Sequence, residues 1–295
     1  MHRIDTSTAQ VDKFGAGKNG FTGGNPQTGE LPTALDADFF DSVQEEIAAV
    51  IESAGISLDK SKNNQLAAAI KSLFGPGRLI GIQRFTASGV YTPTTGAKKV
   101  VVRGVGGGGG GGGCPSTTSN QQSTAGGGQS GCYAEITLDS LLSSYVITIG
   151  IGGSAGLKTP SAGGGGGSTI MAGVLLIPGG SGGYAGAAVT PTISVGGVSN
   201  GTTYPTVSVG VSRILLAAAS GQPALILGSG TNQAKGGTGG SSPLGIGGQG
   251  GLGGAPGLVG VGFGAGGGGC SQLASNSGDV GGAGTSGYLE IWEYA

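Results

Sequence analysis

Five carboxylates follow Ile80, and they are Glu135, Asp139, Asp279, Glu290 and Glu293. Two of them hold matched places. Glu135 lies in Gly131-Cys132-Tyr133-Ala134-Glu135-Ile136, and Glu290 in Gly287-Tyr288-Leu289-Glu290-Ile291. Paired carboxylates across a cleft can serve as acid and base in glycoside hydrolysis. Two equivalent strand positions explain the match more cheaply. A catalytic triad usually needs a histidine, and the single histidine is His2, in a tail-like stretch. Gly15-Ala16-Gly17-Lys18-Asn19-Gly20 has a faint phosphate-loop look. Asn19 stands where that loop needs Ser or Thr, and no buried strand precedes it. The cysteines are Cys114, Cys132 and Cys270. A zinc site needs about four ligands, and the only histidine is His2. Each cysteine adjoins a glycine-rich run and is expected to pack as a small buried side chain, with a disulfide as the lesser alternative. No catalytic residue, metal or cofactor is expected.

The elements that would hold such residues are unusual. Of 71 glycines, 62 lie after Ile80, in blocks such as Gly106–Gly113, Gly163–Gly167 and Gly266–Gly269. Glycine has nothing to bury and loses the most backbone entropy on folding. The blocks nevertheless alternate with apolar segments such as Val100-Val101-Val102 and YVITIGI (145–151), so they are expected to belong to a packed domain. Residues 1–80 carry 17 charged side chains and residues 81–295 only 12. With a net charge of −1 and no basic stripe, nucleic acid is not an expected partner. The apolar runs fall short of the ~20 residues that span a bilayer. The opening MHRIDTSTAQ lacks an apolar signal core.

Three regions follow. Residues 1–33 read as an extended attachment arm with Phe14, Phe21 and Leu31 as isolated apolar anchors. Residues 34–77 read as helical, a hairpin or a bundle between identical chains. Phe40, Val43, Ile47, Val50 and Ala54 are spaced 3, 4, 3, 4, a heptad seam. Asp36 can cap that helix and Gly55 can end it. A second helix is expected from about Asn63, with Leu66, Ala69, Ile70 and Leu73 on one face. Both helices are expected to fall below the ~12–15 residues at which isolated helices gain stability.

Residues 78–295 read as a glycine-rich β domain. Short strands are expected at Ile82–Phe85, Val90–Thr92, Lys98–Val105, Tyr133–Leu138, Tyr145–Ile151, Thr169–Ile177, Thr206–Val209, Arg213–Ala217, Ala224–Leu227 and Tyr288–Tyr294, which suggests a β-sandwich. The fold class is thus mainly β with a small helical N-terminal region. Glycine at 245, 248, 251, 254, 257 and 260 keeps a three-residue period, that of polyproline II. Such segments could lie side by side as polyglycine II, with disordered loops as the alternative.

Four glycines precede both Cys114 and Cys270, and each cysteine is followed by a polar insert and then a strand. The inserts, Pro115–Ser130 and Ser271–Ser286, are expected at one end of the domain. Their hydroxyls and amides make them candidate binding loops, through Ser116, Thr117, Thr118, Asn120, Gln121, Gln122, Gln272 and Asn276. Tyr184 and Tyr204 are further candidates, since an exposed aromatic can stack on a sugar or anchor a protein contact. Trp292 is expected in the core.

Residues 35–74 (LDADFFDSVQEEIAAVIESAGISLDKSKNNQLAAAI and onward) resemble the N-terminal attachment region of tailed-bacteriophage tail fibres. The segment RFTASGVYTPTTGAKKVVVRGVGGGGGGGG (84–113), with GYLEIWEY near the end, is similar to the glycine-rich domain at the C-terminus of many such fibres. The resemblance implies a homotrimeric adhesin on the virion, assembled in the host cytoplasm. It would be fixed to a tail or baseplate protein through residues such as Phe14, Phe21, Leu31, Phe40, Val43, Ile47 and Val50. Its C-terminal domain would recognise a bacterial surface polysaccharide or protein. A baseplate protein without receptor role and a polysaccharide depolymerase are the alternatives.

Overall fold

The computed structural model describes residues 2–74, 77–197, 203–228 and 233–295. The chain divides into two units, Met1–Arg78 and Leu79–Ala295.

In the first unit the arm is a series of turns. The backbones of Gln10 and Gly20 bond reciprocally, and Asn25 closes onto Glu30. Helix α1 spans Ala37–Ser53, and α2 spans Gln65–Phe74. The Asp36 side chain caps α1 by accepting from the Asp38 N–H, and Gly55 leaves the helix at φ +72°. At 17 residues α1 is longer than the sequence reading allowed. Ala48, Ile51 and Ala69 are buried. Phe40 and Ile47 of the heptad seam stay 47% and 43% exposed, as do much of Leu66, Ile70 and Leu73. The hairpin therefore leaves most of its apolar face uncovered within one chain.

The second unit begins as a sandwich of two five-stranded antiparallel sheets. Its strands are β1 (Leu79–Phe85), β2 (Gly89–Tyr91), β3 (Lys99–Val105), β4 (Tyr133–Leu138), β5 (Tyr145–Thr148), β6 (Thr169–Met171), β7 (Leu175–Ile177), β8 (Thr206–Val207), β9 (Val211–Leu216) and β10 (Tyr288–Tyr294). One sheet runs β1-β10-β3-β4-β9 and the other β8-β7-β6-β5-β2. Alternation decides what is inside. Val100, Val102, Ile136, Leu138, Leu289 and Ile291 from the first sheet meet Tyr91, Ile147, Met171, Leu175 and Ile177 from the second. The single strand expected over Thr169–Ile177 is two, because Gly173 turns the chain at φ +72° and Val174 N–H closes back onto Met171.

Beyond the sandwich the chain has almost no regular strands, yet it is ordered by its glycines. From Gly106 onward the N–H groups point in three directions by turns. Gly106, Gly109 and Gly112 donate to Cys132, Gln129 and Gly126. Gly107, Gly110 and Gly113 donate to Gly167, Gly164 and Ser161. Gly108, Gly111 and Cys114 donate to Thr285, Gly282 and Asp279. The carbonyls of the same run accept from segments 153–156, 180–186 and 267–270. A three-residue period without internal bonds is polyproline II, and here six neighbours surround one central segment. Segment 264–270 is a second centre, bonded to 109–112, 125–131, 237–240, 248–251, 258 and 282–285. The two hexagons overlap, since each centre is a neighbour of the other and both contact segments 125–131 and 282–285. These backbone bonds stand where a core of side chains would be, satisfying donors and acceptors that burial would otherwise leave unpaired.

The packing accepts nothing larger than glycine at its centre. A Cβ added anywhere from Gly106 to Gly113 would lie 1.8–2.1 Å from a neighbouring carbonyl oxygen. Larger side chains recur where a segment faces outward, at every third residue: Ile151, Ser154 and Leu157, or Ser181, Tyr184 and Ala187. Ala125, Gln129 and Ala265 are buried inside the lattice. The glycine period at 245–260 belongs to this lattice in part. Gly248 and Gly251 bond to Gly266 and Gly269, whereas Gly254 sits at φ +91°.

Candidate functional site

The matched carboxylates are partners of arginine rather than an acid–base pair. Register places Arg84 opposite Glu290, Glu290 opposite Arg103, and Arg103 opposite Glu135. A bulge in β9 brings Arg213 to Glu135 from the far side. The result is a row of alternating charge across all five strands. Arg84 Nε lies 3.7 Å from Glu290, Arg103 Nε 2.9 Å from Glu135, and Arg213 Nη1 3.4 Å from Glu135. Opposite charges facing each other across strands stabilise a sheet by roughly 0.2–1 kcal/mol each. Trp292, expected in the core, instead lies half-buried on this outer face, with the Arg103 guanidinium 5.0 Å from its ring centroid.

Glu293, the last of the five carboxylates, has no matched partner in the sequence. It is fully buried, and no ion pair to it occurs among the described residues. The Thr94 N–H and hydroxyl donate to it at 2.9 and 2.6 Å, the Tyr91 hydroxyl at 2.9 Å and Gln83 Nε2 at 3.3 Å. Burial pushes its pKa up, but the bonds from Thr94, Tyr91 and Gln83 outweigh that and hold it below the usual glutamate range. Burial, then the bond to Glu293, raises the Tyr91 phenol well above its ordinary value. A carboxyl whose folded pKa is depressed stabilises the fold above its unfolded pKa, and that stability is lost as pH falls through the folded value. The melting temperature is therefore expected to drop below about pH 4.3. Glu293→Gln should flatten part of that acid limb and cost about 1.5–3 kcal/mol at neutral pH, the range for charge-assisted bonds. Thermal melts from pH 3 to 8 (about one unit per step) check both.

The two polar inserts do meet at one end. Thr117 N–H donates to Asn276 O at 2.9 Å, and Ser275 N–H to Thr118 O at 3.0 Å. Ser271–Gln272 pairs with Ser123–Thr124 as a two-residue ladder. Only 115–124 and 271–278 form the loop end, because 125–130 and 279–286 run back as lattice segments. Directly beneath lies a Cys114–Cys270 disulfide, with Cα atoms 6.0 Å apart and both residues fully buried. This corrects the expectation of three independent packed thiols. The lattice brings the ends of its two central segments together, since Cys270 N–H donates to Gly112 O. The repeated glycine-run-then-cysteine was the signal. Cys132 stays a free buried thiol whose pKa burial pushes up, only partly opposed by bonds from Thr203 and Ala218.

The candidate binding residues separate accordingly. Ser116, Thr118 and Asn120 are exposed, while Gln121 and Asn276 are half-buried. Thr117, Gln122 and Gln272 are buried. The Thr117 hydroxyl donates to Leu273 O, and the backbone of Gln122 pairs with Val189. Those three side chains build the loop end instead of facing outward. Gln121 Oε1 accepts from Thr118, shaping its own loop. Tyr184 and Tyr204 are 56% and 61% exposed but lie at different levels. Tyr184 O accepts from Gly126 near the loop end, whereas Tyr204 precedes β8 on the sandwich. Tyr184 covers Gly197, where a Cβ would lie 3.0 Å from its ring.

In the first unit Phe14 and Leu31 are 63% and 67% exposed, and Phe21 stacks edge-on against Phe39 at 5.3 Å. Val43 and Val50 are partly covered. His2, Asp5 and Asp36 bring one ligand-type atom each within 4.8 Å of one another, a grouping a metal could use, though the first two are exposed. Among the described residues no helix is long and apolar enough to cross a membrane.

No protein-family model matches the chain. A protein of Escherichia coli (strain K12), named "Uncharacterized protein StfP", is 62% identical over 73 residues, which is 25% of this chain and 35% of that protein. The chain thus matches about a third of the length of that relative.

Proposed function

We propose that the chain is a non-enzymatic tail fibre or tail-tip adhesin of a tailed bacteriophage. It forms a homotrimer, attaches to a tail or baseplate protein through its first unit, and presents the loop end of its glycine lattice to a bacterial surface receptor. It is assembled in the host cytoplasm and acts on the virion. The observation that carries this reading is the meeting of two polar loops on a disulfide-joined, glycine-built scaffold. Loops held by a rigid support are where binding residues concentrate. Three further observations support it. The name StfP of the partial relative hints at a tail fibre. The uncovered heptad seam of α1 suits association of identical helices. The arginine partners of Glu135 and Glu290 speak against a depolymerase. A loop end of hydroxyls and amides makes weak contacts, which several fibres on one particle would turn into firm adsorption.

The test uses the labelled full chain on cells of Escherichia coli strain K12 and related strains. Native mass should be three times the chain's 28.0 kDa. Saturable binding should fall several-fold when Ser116, Thr118 and Asn120 are together changed to alanine, with an unchanged melting temperature. Binding indifferent to that change would remove the loop end as the receptor surface, and a monomer with intact helices would remove the trimer.

A further inference from the structure

The glycine lattice is amphipathic as a whole. Consecutive outer segments 150–157, 279–285, 256–260 and 246–252 lie side by side. Gly281 and Gly284 bond to Gly156 and Gly153, Gly257 and Gly260 to Val280 and Ala283, and Leu258 to Gln249. Their outward positions carry Ile151, Ile246, Leu252, Leu258 and Val259, and Val261 continues the row opposite Ile246. These side chains are 54–75% exposed. On the other flank, segments 161–167, 178–187 and 219–222 turn Ala162, Gly165, Ser181, Ala187 and Gln222 to solvent, with Tyr184 the one large side chain. The lattice does not require this difference, because any residue fits an outward position.

We propose that the aliphatic flank is the contact through which the glycine lattices of neighbouring copies of this chain pack. The proposal rests on the homotrimer reading above and names the surface used beyond the helices. Six such side chains amount to on the order of 400 Å² of apolar surface, most of the ~500 Å² apolar share of a standard half-interface. Residues 150–157 and 244–263 hold no charged side chain, and Asp279 is the one charge in segment 279–285, so little there steers or orients a charged partner. A second copy has the advantage of tethering. Chains held together by their helices keep their lattices at an effective concentration in the millimolar range, where a contact too weak for free partners still forms.

A photo-crosslinking amino acid, p-benzoylphenylalanine, placed at Val259 or at Ser181 in the full chain tests this. Both positions are exposed, so both variants should fold. Irradiation should link chain to chain several-fold more efficiently from Val259→p-benzoylphenylalanine than from Ser181→p-benzoylphenylalanine. An assembly of three chains that crosslinks equally from both positions, or from neither, overturns the flank contact and leaves the trimer standing. A monomeric native mass overturns the trimer reading itself, whatever the crosslinks show.

Discussion

Gly111→Ala is expected to cost more stability than most core truncations would, although it adds one methyl group. The new Cβ would lie 1.9 Å from Gly268 O and 2.3 Å from its carbonyl carbon. That obstacle is backbone, so no rotamer change relieves it. Gly268 cannot withdraw either, because its N–H donates to Leu258 and its carbonyl accepts from Gly282. Ordinary overpacking costs about 1–3 kcal/mol where side chains can yield, and the lattice has none to yield. The expected loss exceeds that range, which is a large share of a typical 5–15 kcal/mol total stability. A fall of roughly 10 °C or more in melting temperature corresponds to it for a unit of this size. Gly165→Ala is the paired control within a glycine block. Its Cβ would meet nothing nearer than Gly180 O at 3.7 Å, and its backbone lies outside the left-handed region. There alanine should be neutral or stabilising by about 0.4–1 kcal/mol, through the smaller entropy of the unfolded chain. Opposite signs at two glycines, measured by thermal melts, test the lattice directly. Equal effects would mean that the runs are not packed as described.

Much of the sandwich was legible because strand alternation is a local signal. Tyr133–Leu138 and Tyr288–Tyr294 have the bounds expected of them, and Asp36 and Gly55 bound α1 as capping chemistry requires. The lattice was only half legible. A three-residue period shows a conformation, but which segments become neighbours depends on backbone bonds that no side chain specifies. The charged row was hidden for a related reason. Arg84, Arg103 and Arg213 look unrelated until register sets them beside Glu290 and Glu135. Alternation sets Glu293 on the inward face with Leu289 and Ile291, but its donors could not be read, since they come from Gln83, Tyr91 and Thr94, about 200 residues away, as the separation of 202 to Tyr91 shows. At the candidate site, polar composition pointed to two loops that meet at one end, but it did not separate their exposed residues from their buried ones. Thr117, Gln122 and Gln272 are as polar as Ser116 and Asn120, and burial alone distinguishes them.

Breaking the Cys114–Cys270 bond is expected to give the second large effect. The cysteines are 156 residues apart in sequence, so the bond restricts most of the second unit when it unfolds. Loop-closure entropy for a ring of that length gives a ceiling of about 5 kcal/mol. The folded geometry should survive, because Cys270 N–H still donates to Gly112 O and Ala125 N–H to Cys270 O. The penalty should therefore appear in the melting temperature, lowered by roughly 5–15 °C, with little change in the folded structure. A disulfide and two merely packed thiols make different predictions for a double-mutant cycle. Cys114→Ala, Cys270→Ala and the double variant should all lose nearly the same stability, since the first substitution already removes the bond. Packed thiols would lose less, and their losses would add. Cys132→Ala supplies the baseline. Its side chain is equally buried but unbonded to another sulfur, so it reports the loss of one small buried group. Reductant should lower the melting temperature of the parent chain and leave all three variants of the cycle unmoved. If the parent chain is also unmoved by reductant, the two central segments are joined by their hydrogen bonds alone.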